Sequence, residues 1–238
     1  MTDRPILLLT RPREGSERFA ELVQARFGDV FEILIAPLQE IEWVDFAPVS
    51  EAPEALIFTS QNGVLGWNRV YSNAGSQAYC VGPQTTKAAV AAGHKAQDCG
   101  GDAEALIATI LAEKPIGSLL HVHGEHSRGR VAERLSAAGI PTDSRIAYRQ
   151  VALPLSDAAK NVLESAPQVI APLFSPRSAT LLMQALPEKT RPWLAVISPN
   201  AAERVDAMLQ RRMMVAEKPN AEGMLDAIEA LLAAACNS

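Results

Sequence analysis

Residues 57–64, IFTSQNGV, run from apolar through small and polar at Thr59-Ser60 into a helical pattern over Asn62–Val70. They read as a strand, a turn and a helix. The same pattern returns as LFSPRSA around Ser175, an offset of 115. CVGPQTTKAA around Gly82 returns as VISPNAAERV around Ser198, an offset of 116, and GGDAEALIATIL at Ala103 returns as KPNAEGMLDAIEAL at Ala221, an offset of 118. Three matches in one order at nearly constant spacing mark an internal duplication.

Other strand-to-helix units flank these. ILLLT (6–10) leads into a helix with Ser16 as candidate N-cap, Phe19, Leu22, Val23 and Phe27 on one face, and Gly28 as a stop. LLHVHG leads into a helix over Arg128–Ala138, and LAVIS into one over Asn200–Arg211. Buried apolar strands alternating with helices imply parallel sheets covered on both faces, an α/β fold. LLHVHGEHSRGRVAERLSAAGI (119–140) has no counterpart after Ala221; its best match is the N-terminus, ILLLTRPREGSERFAELVQARFG. The second copy is therefore read as split across the termini. Two similar α/β domains are expected: a discontinuous one of residues 1–37 plus 152–238, and one of residues 42–146. ILIAPLQEIEW (33–43) and SRIAYRQVALP (144–154) read as extended, with 38–41 and 147–151 as the strands of a two-stranded linker.

Composition sets outer limits. Of 238 residues 48% are apolar and 21% charged, which excludes a disordered or fibrous chain. A formal net charge of -5 offers nothing global to a polyanion, so no nucleic-acid partner is expected. Cys80, Cys99 and Cys236 are odd in number and lack CxxC spacing, which points to reduced thiols. MTDRPILLLTRP has too short an apolar core for a signal peptide, and no run reaches membrane-spanning length. The expectation is a cytoplasmic protein with no membrane partner.

The chemistry lies where strands end. Thr59-Ser60-Gln61-Asn62, Gly82-Pro83-Gln84-Thr85, Gly124-Glu125-His126-Ser127, Ser175-Pro176-Arg177-Ser178 and Ser198-Pro199-Asn200 are all small and polar. At the carboxyl ends of parallel strands, helix N-termini offer unpaired N–H groups to anions. Ordinary capping is the competing explanation for any one of these residues; the whole set facing one cleft is harder to dismiss. His121 and His123 alternate on a strand, a spacing zinc sites use, but a site would need a third ligand and His126 lies past the strand. No metal is expected. GxGxxG, GxxxxGK[ST], GxSxG and HExxH are all absent. Tyr148, in the returning crossing segment, can donate a hydrogen bond or a proton at neutral pH, or simply pack.

In series, LLLTRP, IFTSQNGV, YCVGPQTT, CGGDAEAL, VHGEHSRGRVAERL with its AAGI turn, IAYRQV, LFSPRSA and VISPNAAERV resemble the uroporphyrinogen-III synthase family, in family order and over essentially the whole chain. The resemblance implies two α/β domains on a two-stranded linker, no cofactor and no metal. It implies cyclisation of hydroxymethylbilane, a linear tetrapyrrole with eight carboxylate side chains, to uroporphyrinogen III, with inversion of the terminal (D) ring and loss of water. Substrate-binding positions carried over are Thr59, Ser60, Gly82, Thr85, Gly124, Ser127, Arg128, Ser175 and Ser198, and Asn62 and Ser178 in the same loops complete the set. Tyr148 falls on the family's tyrosine, the candidate to assist departure of the hydroxyl. His123 stands where relatives often carry Arg, and Asn200-Ala201 replaces a Thr-containing turn. A monomer is implied, with its small-molecule substrate handed over by the preceding pathway enzyme. The alternative from another class is a bilobal binding or sensory module that performs no chemistry.

Overall fold

The computed structural model describes residues 4–49, 51–71, 75–127 and 129–235. The chain opens with β1 (Ile6–Leu9), α1 (Arg13–Phe27) and β2 (Glu32–Ile35), then β3 (Gln39–Trp43). It continues through β4 (Ala55–Phe58), α2 (Gln61–Val70), β5 (Gln77–Cys80), α3 (Pro83–Ala91), β6 (Lys95–Asp98), α4 (Ala103–Glu113), β7 (Leu119–Gly124), α5 (Val131–Ala137) and β8 (Thr142–Ala152). It closes with α6 (Asp157–Ser165), β9 (Val169–Leu173), α7 (Pro176–Ala185), β10 (Trp193–Val196), α8 (Pro199–Ala202), β11 (Met213–Val215) and α9 (Ala221–Ala235). Two compact units result, Met1–Glu40 with Val151–Ser238, and Ile41–Gln150.

One sheet has the order β11-β10-β9-β1-β2, with every pairing parallel. The other has the order β3-β8-β7-β4-β5-β6, parallel from β8 to β6. Written from opposite ends, β2-β1-β9-β10-β11 and β8-β7-β4-β5-β6 follow the same path. The N-terminal strands β1 and β2 thus fill the places that β7 and β8 fill in the other sheet. Along β3 and β8 and the residues just beyond their ends, Val44 N–H donates to Ala147 O (3.0 Å), Arg149 pairs with Glu42 (2.5 Å), and Leu153 N–H donates to Leu38 O (2.8 Å). Partners rise on one strand as they fall on the other, so the two run antiparallel. ILIAPLQEIEW is accordingly divided, β2 lying in one sheet and β3 in the other.

Strands buried on both faces explain the near-continuous apolar runs. In the central unit Leu56, Phe58, Leu120 and Val122 pack with Trp67 and Ala89 of α2 and α3, while Ala55, Ile57 and Leu119 pack with Leu106, Ile110 and Leu135 of α4 and α5. In the other unit Leu7, Leu9 and Ile170 meet Phe19, Val23 and Ile228, and Leu8, Leu173 and Val196 meet Leu163, Leu182 and Ala201. Each Leu, Ile, Val or Phe among these contributes about 1.5–3 kcal/mol on burial. Two glycines let α2 lie close against its sheet: a Cβ on Gly63 would sit 2.6 Å from Val122 O, and one on Gly66 2.7 Å from Ala147 Cβ.

Four local expectations change. Ser16 lies inside α1, which begins at Arg13; it is fully buried and its hydroxyl donates to Arg11 O (3.0 Å). Leu22 is 44% exposed, because the buried face follows Phe19 and Val23. The helix expected from Arg128 begins at Val131, since Gly129 (φ 88°) and Arg130 (φ 46°) hold left-handed backbone; Arg128 itself lies outside the described residues, as does Cys236. The helix expected over 200–211 is the single turn α8 and a separate 3-10 turn, Ala207–Arg212. Tightened bonds from Arg204 N–H to Ala201 O (3.2 Å) and Val205 N–H to Ala202 O (3.0 Å) end the first piece. Cys80 and Cys99 are free thiols buried on opposite faces of their sheet, and burial pushes Cys80 up to about 11.

Candidate active site

In the central unit, strand-end loops surround a cavity of ≈280 Å³ lined by Thr59, Val81, Ala103, Gly124, His126, Ser127 and Tyr148. Thr59 follows β4, and Ser60 caps α2, its Oγ accepting from Asn62 N–H (3.2 Å). Gly82 is the N-cap of α3, and its carbonyl accepts from Thr86 Oγ1 (3.0 Å). Asp102 caps α4 through Ala105 N–H (2.8 Å), bringing Ala103 to the cavity at the start of that helix.

Tyr148 reaches the cavity through an irregularity in β8. His123 pairs with Ile146, but Gly124 pairs with Tyr148, so the register skips Ala147. Such a bulge re-aims the following side chain. Ala147 is fully buried against α2, while Tyr148 is half-buried with its carbonyl accepting from Glu125 N–H (2.9 Å). Its ring occupies the space a side chain at 124 would need: a Cβ there would lie 2.6 Å from Cζ, 2.7 Å from Cε2 and 3.0 Å from the phenolic oxygen. Gly124 is therefore a seat for the tyrosine ring.

On β7, His121 and His123 are 2% and 9% exposed, with ring centroids 4.5 Å apart. His121 Nε2 lies 3.2 Å from Thr59 Oγ1, and His123 Nδ1 lies 2.7 Å from Gly124 O. Burial first, and then the neighbouring His123 ring, push His121 down to about 3, so it is neutral at physiological pH. Among the described residues, no group of three His, Cys, Asp or Glu side chains is placed to hold a metal ion.

The other unit presents Ser175, Ser178 and Ser198. Ser175 and Ser178 form a capping box at α7: Ser175 Oγ accepts from Ser178 N–H (3.1 Å), and Ser178 Oγ accepts from Ser175 N–H (3.0 Å). Ser178 is only 3% exposed and also donates to Ser175 O (2.8 Å). Ser198 Oγ accepts from Ala201 N–H (3.4 Å). Arg11, just past β1, holds its guanidinium carbon 4.2 Å from the centroid of the Phe174 ring. Burial, with a smaller contribution from Arg18, pulls its pKa below the usual arginine value, and among the described residues no carboxylate pairs with it. Thr10 is 1% exposed, and its hydroxyl has no hydrogen-bond partner among the described residues.

Of the residues singled out from sequence, Thr59, Gly124, Ser127 and Tyr148 line one cavity. Ser60, Asn62 and Gly82 lie at the adjoining helix starts, and Thr85 is buried at 6% exposure. Val81, Ala103 and, in the other unit, Arg11 went unrecognised, whereas His126 stood in one of the polar strand-end loops and was set aside only as a metal ligand. Arg11 carried a legible signal, a cation two residues past the four apolar residues of β1. Val81 and Ala103 carried none, since they line the cavity with ordinary small apolar groups.

The chain matches the family model described as uroporphyrinogen-III synthase HemD over residues 17–226. No curated protein matches. The fold is similar to that of a uroporphyrinogen-III synthetase from Helicobacter pylori 26695, at 18% identity and a TM-score of 0.66, covering 96% of this chain and 99% of that one. It is also similar to a mutant uroporphyrinogen III synthase from the extremely thermophilic bacterium Thermus thermophilus, at 16% identity and a TM-score of 0.52, covering 97% and 99%.

Proposed function

The chain belongs to the uroporphyrinogen-III synthase family, and we propose that the Thr59–Ser127–Tyr148 cavity is where it handles the reacting end of its substrate. The enzyme is a cyclising lyase of tetrapyrrole biosynthesis. It closes hydroxymethylbilane to uroporphyrinogen III, inverting the terminal ring and releasing water. The observation that carries the site reading is the seating of Tyr148 on Gly124, which aims a phenol at a cavity flanked by helix starts.

The hydroxyl of the bilane's terminal hydroxymethyl group leaves as water only after taking up a proton. Tyr148 is assigned as the group that donates a hydrogen bond or that proton to it. The C–O bond breaks, and the electron pair of the pyrrole nitrogen stabilises the resulting azafulvene cation. Attack by the substituted carbon of the terminal ring gives a spiro intermediate. That intermediate reopens and recloses with the ring inverted, and loss of a proton restores aromaticity. The protein's contribution is chiefly conformational, holding a flexible chain so that this carbon is the one that attacks.

A cavity of ≈280 Å³ has room for one part of a tetrapyrrole, so the remaining carboxylates need other partners. Ser60, Asn62, Gly82 and Thr85 are assigned to carboxylates near α2 and α3, with Arg128 beside Ser127. In the other unit Ser175, Ser178 and Ser198 are assigned through the helix starts they cap, and Arg11 as a desolvated cation awaiting an anion. The domains are assigned as 1–37 with 152–238, and 42–146, with 38–41 and 147–151 as linker strands. The enzyme is assigned as a cytoplasmic monomer that receives its unstable substrate from the preceding pathway enzyme.

The test is to supply hydroxymethylbilane and resolve the product isomers after oxidation. Type III isomer is expected; type I alone, the product of uncatalysed closure, would overturn the reading. Tyr148→Phe should lower kcat while leaving KM nearly unchanged, and an unchanged kcat would return the tyrosine to packing.

A further inference from the structure

His121 is buried on the strand that ends at the cavity, and the chemistry assigned above gives it no role. Burying a polar ring costs free energy unless its nitrogens are satisfied, so its partners are informative. His123 settles its own tautomer: a carbonyl oxygen only accepts, so Nδ1 carries the hydrogen donated to Gly124 O at 2.7 Å. His121 meets a hydroxyl instead, with Nε2 3.2 Å from Thr59 Oγ1. A hydroxyl can donate or accept, so the tautomer of His121 decides what Thr59 shows to the cavity it lines.

A bare Nε2 would take the hydroxyl hydrogen, leaving only lone pairs toward the cavity. A protonated Nε2 donates to Oγ1 and frees the hydroxyl hydrogen for an acceptor there. The substrate's carboxylates are acceptors only. We propose that His121 is a positioning residue, held as the neutral Nε2–H tautomer, which turns the Thr59 hydroxyl outward as a donor to a substrate carboxylate. The proposal rests on the reading that Thr59 lines the substrate site. An uncharged relay also suits turnover, since it orients a donor without adding a fixed cation to hold the product.

Two buried polar substitutions separate this hydrogen bond from packing. Gln sets an amide nitrogen near the place of Nε2, whereas Asn sets one near Nδ1. His121→Asn should raise KM roughly tenfold with kcat little changed, and His121→Gln should stay within about twofold of the parent. Thr59→Val should match His121→Asn, and the double variant should be no worse than Thr59→Val alone. In the ¹⁵N spectrum of the unsubstituted enzyme, His121 should show the neutral Nε2–H pattern. Equal effects of Gln and Asn, additive effects of the pair, or an Nδ1–H pattern would each overturn the proposal. Failure of the underlying reading looks different: type I isomer alone from the unsubstituted enzyme, or an unchanged KM in Thr59→Val, would remove the substrate site itself while the spectrum still reported the His121–Thr59 bond.

Discussion

Replacing Gly124 with Ala tests whether the position of the Tyr148 phenol matters to turnover. The added Cβ would lie 2.6 Å from Cζ and 2.7 Å from Cε2, where carbon pairs ordinarily rest at about 3.5–4.0 Å, so the ring must withdraw by roughly 1 Å. Gly124 is not among the positive-φ glycines, so alanine fits the backbone and the perturbation stays with the ring. Because Tyr148 is half-buried, the ring can swing toward solvent, which keeps the stability cost near the low end of overpacking, about 1 kcal/mol. The catalytic cost is larger: a displacement of about 1 Å at a reacting group is worth on the order of a hundredfold in rate. The assay is kcat with hydroxymethylbilane, with thermal unfolding in parallel to separate rate from stability. Combining Gly124→Ala with Tyr148→Phe should add little to either alone, because both remove one placed hydroxyl. A Gly124→Ala enzyme with kcat within about twofold of the parent and an unshifted Tm would refute the reasoning.

Gly66→Ala forces a Cβ to 2.7 Å from Ala147 Cβ and 3.2 Å from Ala147 O, between a packed helix and strand. Denaturant unfolding should show a loss of about 1–3 kcal/mol, and an unchanged midpoint would mean the helix can move away freely. Arg11→Gln should raise KM by roughly tenfold while leaving Tm near the parent value, since the guanidinium has no carboxylate partner among the described residues to lose. A lowered Tm with unchanged KM would assign it instead to packing on Phe174. Because the folded His121 pKa is depressed to about 3 from 6.5, its neutral form supports the fold fully above the unfolded value, and this support is lost as pH falls toward 3. Between pH 7 and pH 5 the enzyme should lose about 2 kcal/mol more than His121→Gln does, measured by denaturant midpoints; equal losses would mean that His121 charges freely in the fold.

The strand-to-helix repeat made the α/β class readable, because buried parallel strands leave apolar runs with period-breaking polar ends. The place of β1 inside its sheet, between β9 and β2, was readable only through the duplication, since nothing within ILLLT distinguishes an inner strand from an edge one. Helix boundaries were less legible where capping was inferred from residue type. Ser16 looks like an N-cap, yet its hydroxyl bonds back to Arg11 O from inside the helix. Arg130 takes a left-handed backbone that no propensity for arginine announces, and this delayed the start of α5.

The candidate site was legible in proportion to how much of it is made by side chains. Thr59, Ser127 and Tyr148 have chemistry of their own and were found. What aims them does not appear in a list of functional groups: the skipped register at Ala147, the missing Cβ of Gly124 and the missing Cβ of Gly66 against Ala147. These three features are linked. Gly66 lets α2 hold Ala147 inward, the bulge then places Tyr148 opposite Gly124, and Gly124 leaves room for its ring. Close backbone approach is what a sequence records least, because it is written as the absence of a side chain. It follows that substitutions enlarging either glycine should impair the enzyme through the tyrosine, although neither position carries a group that could touch the reacting bond.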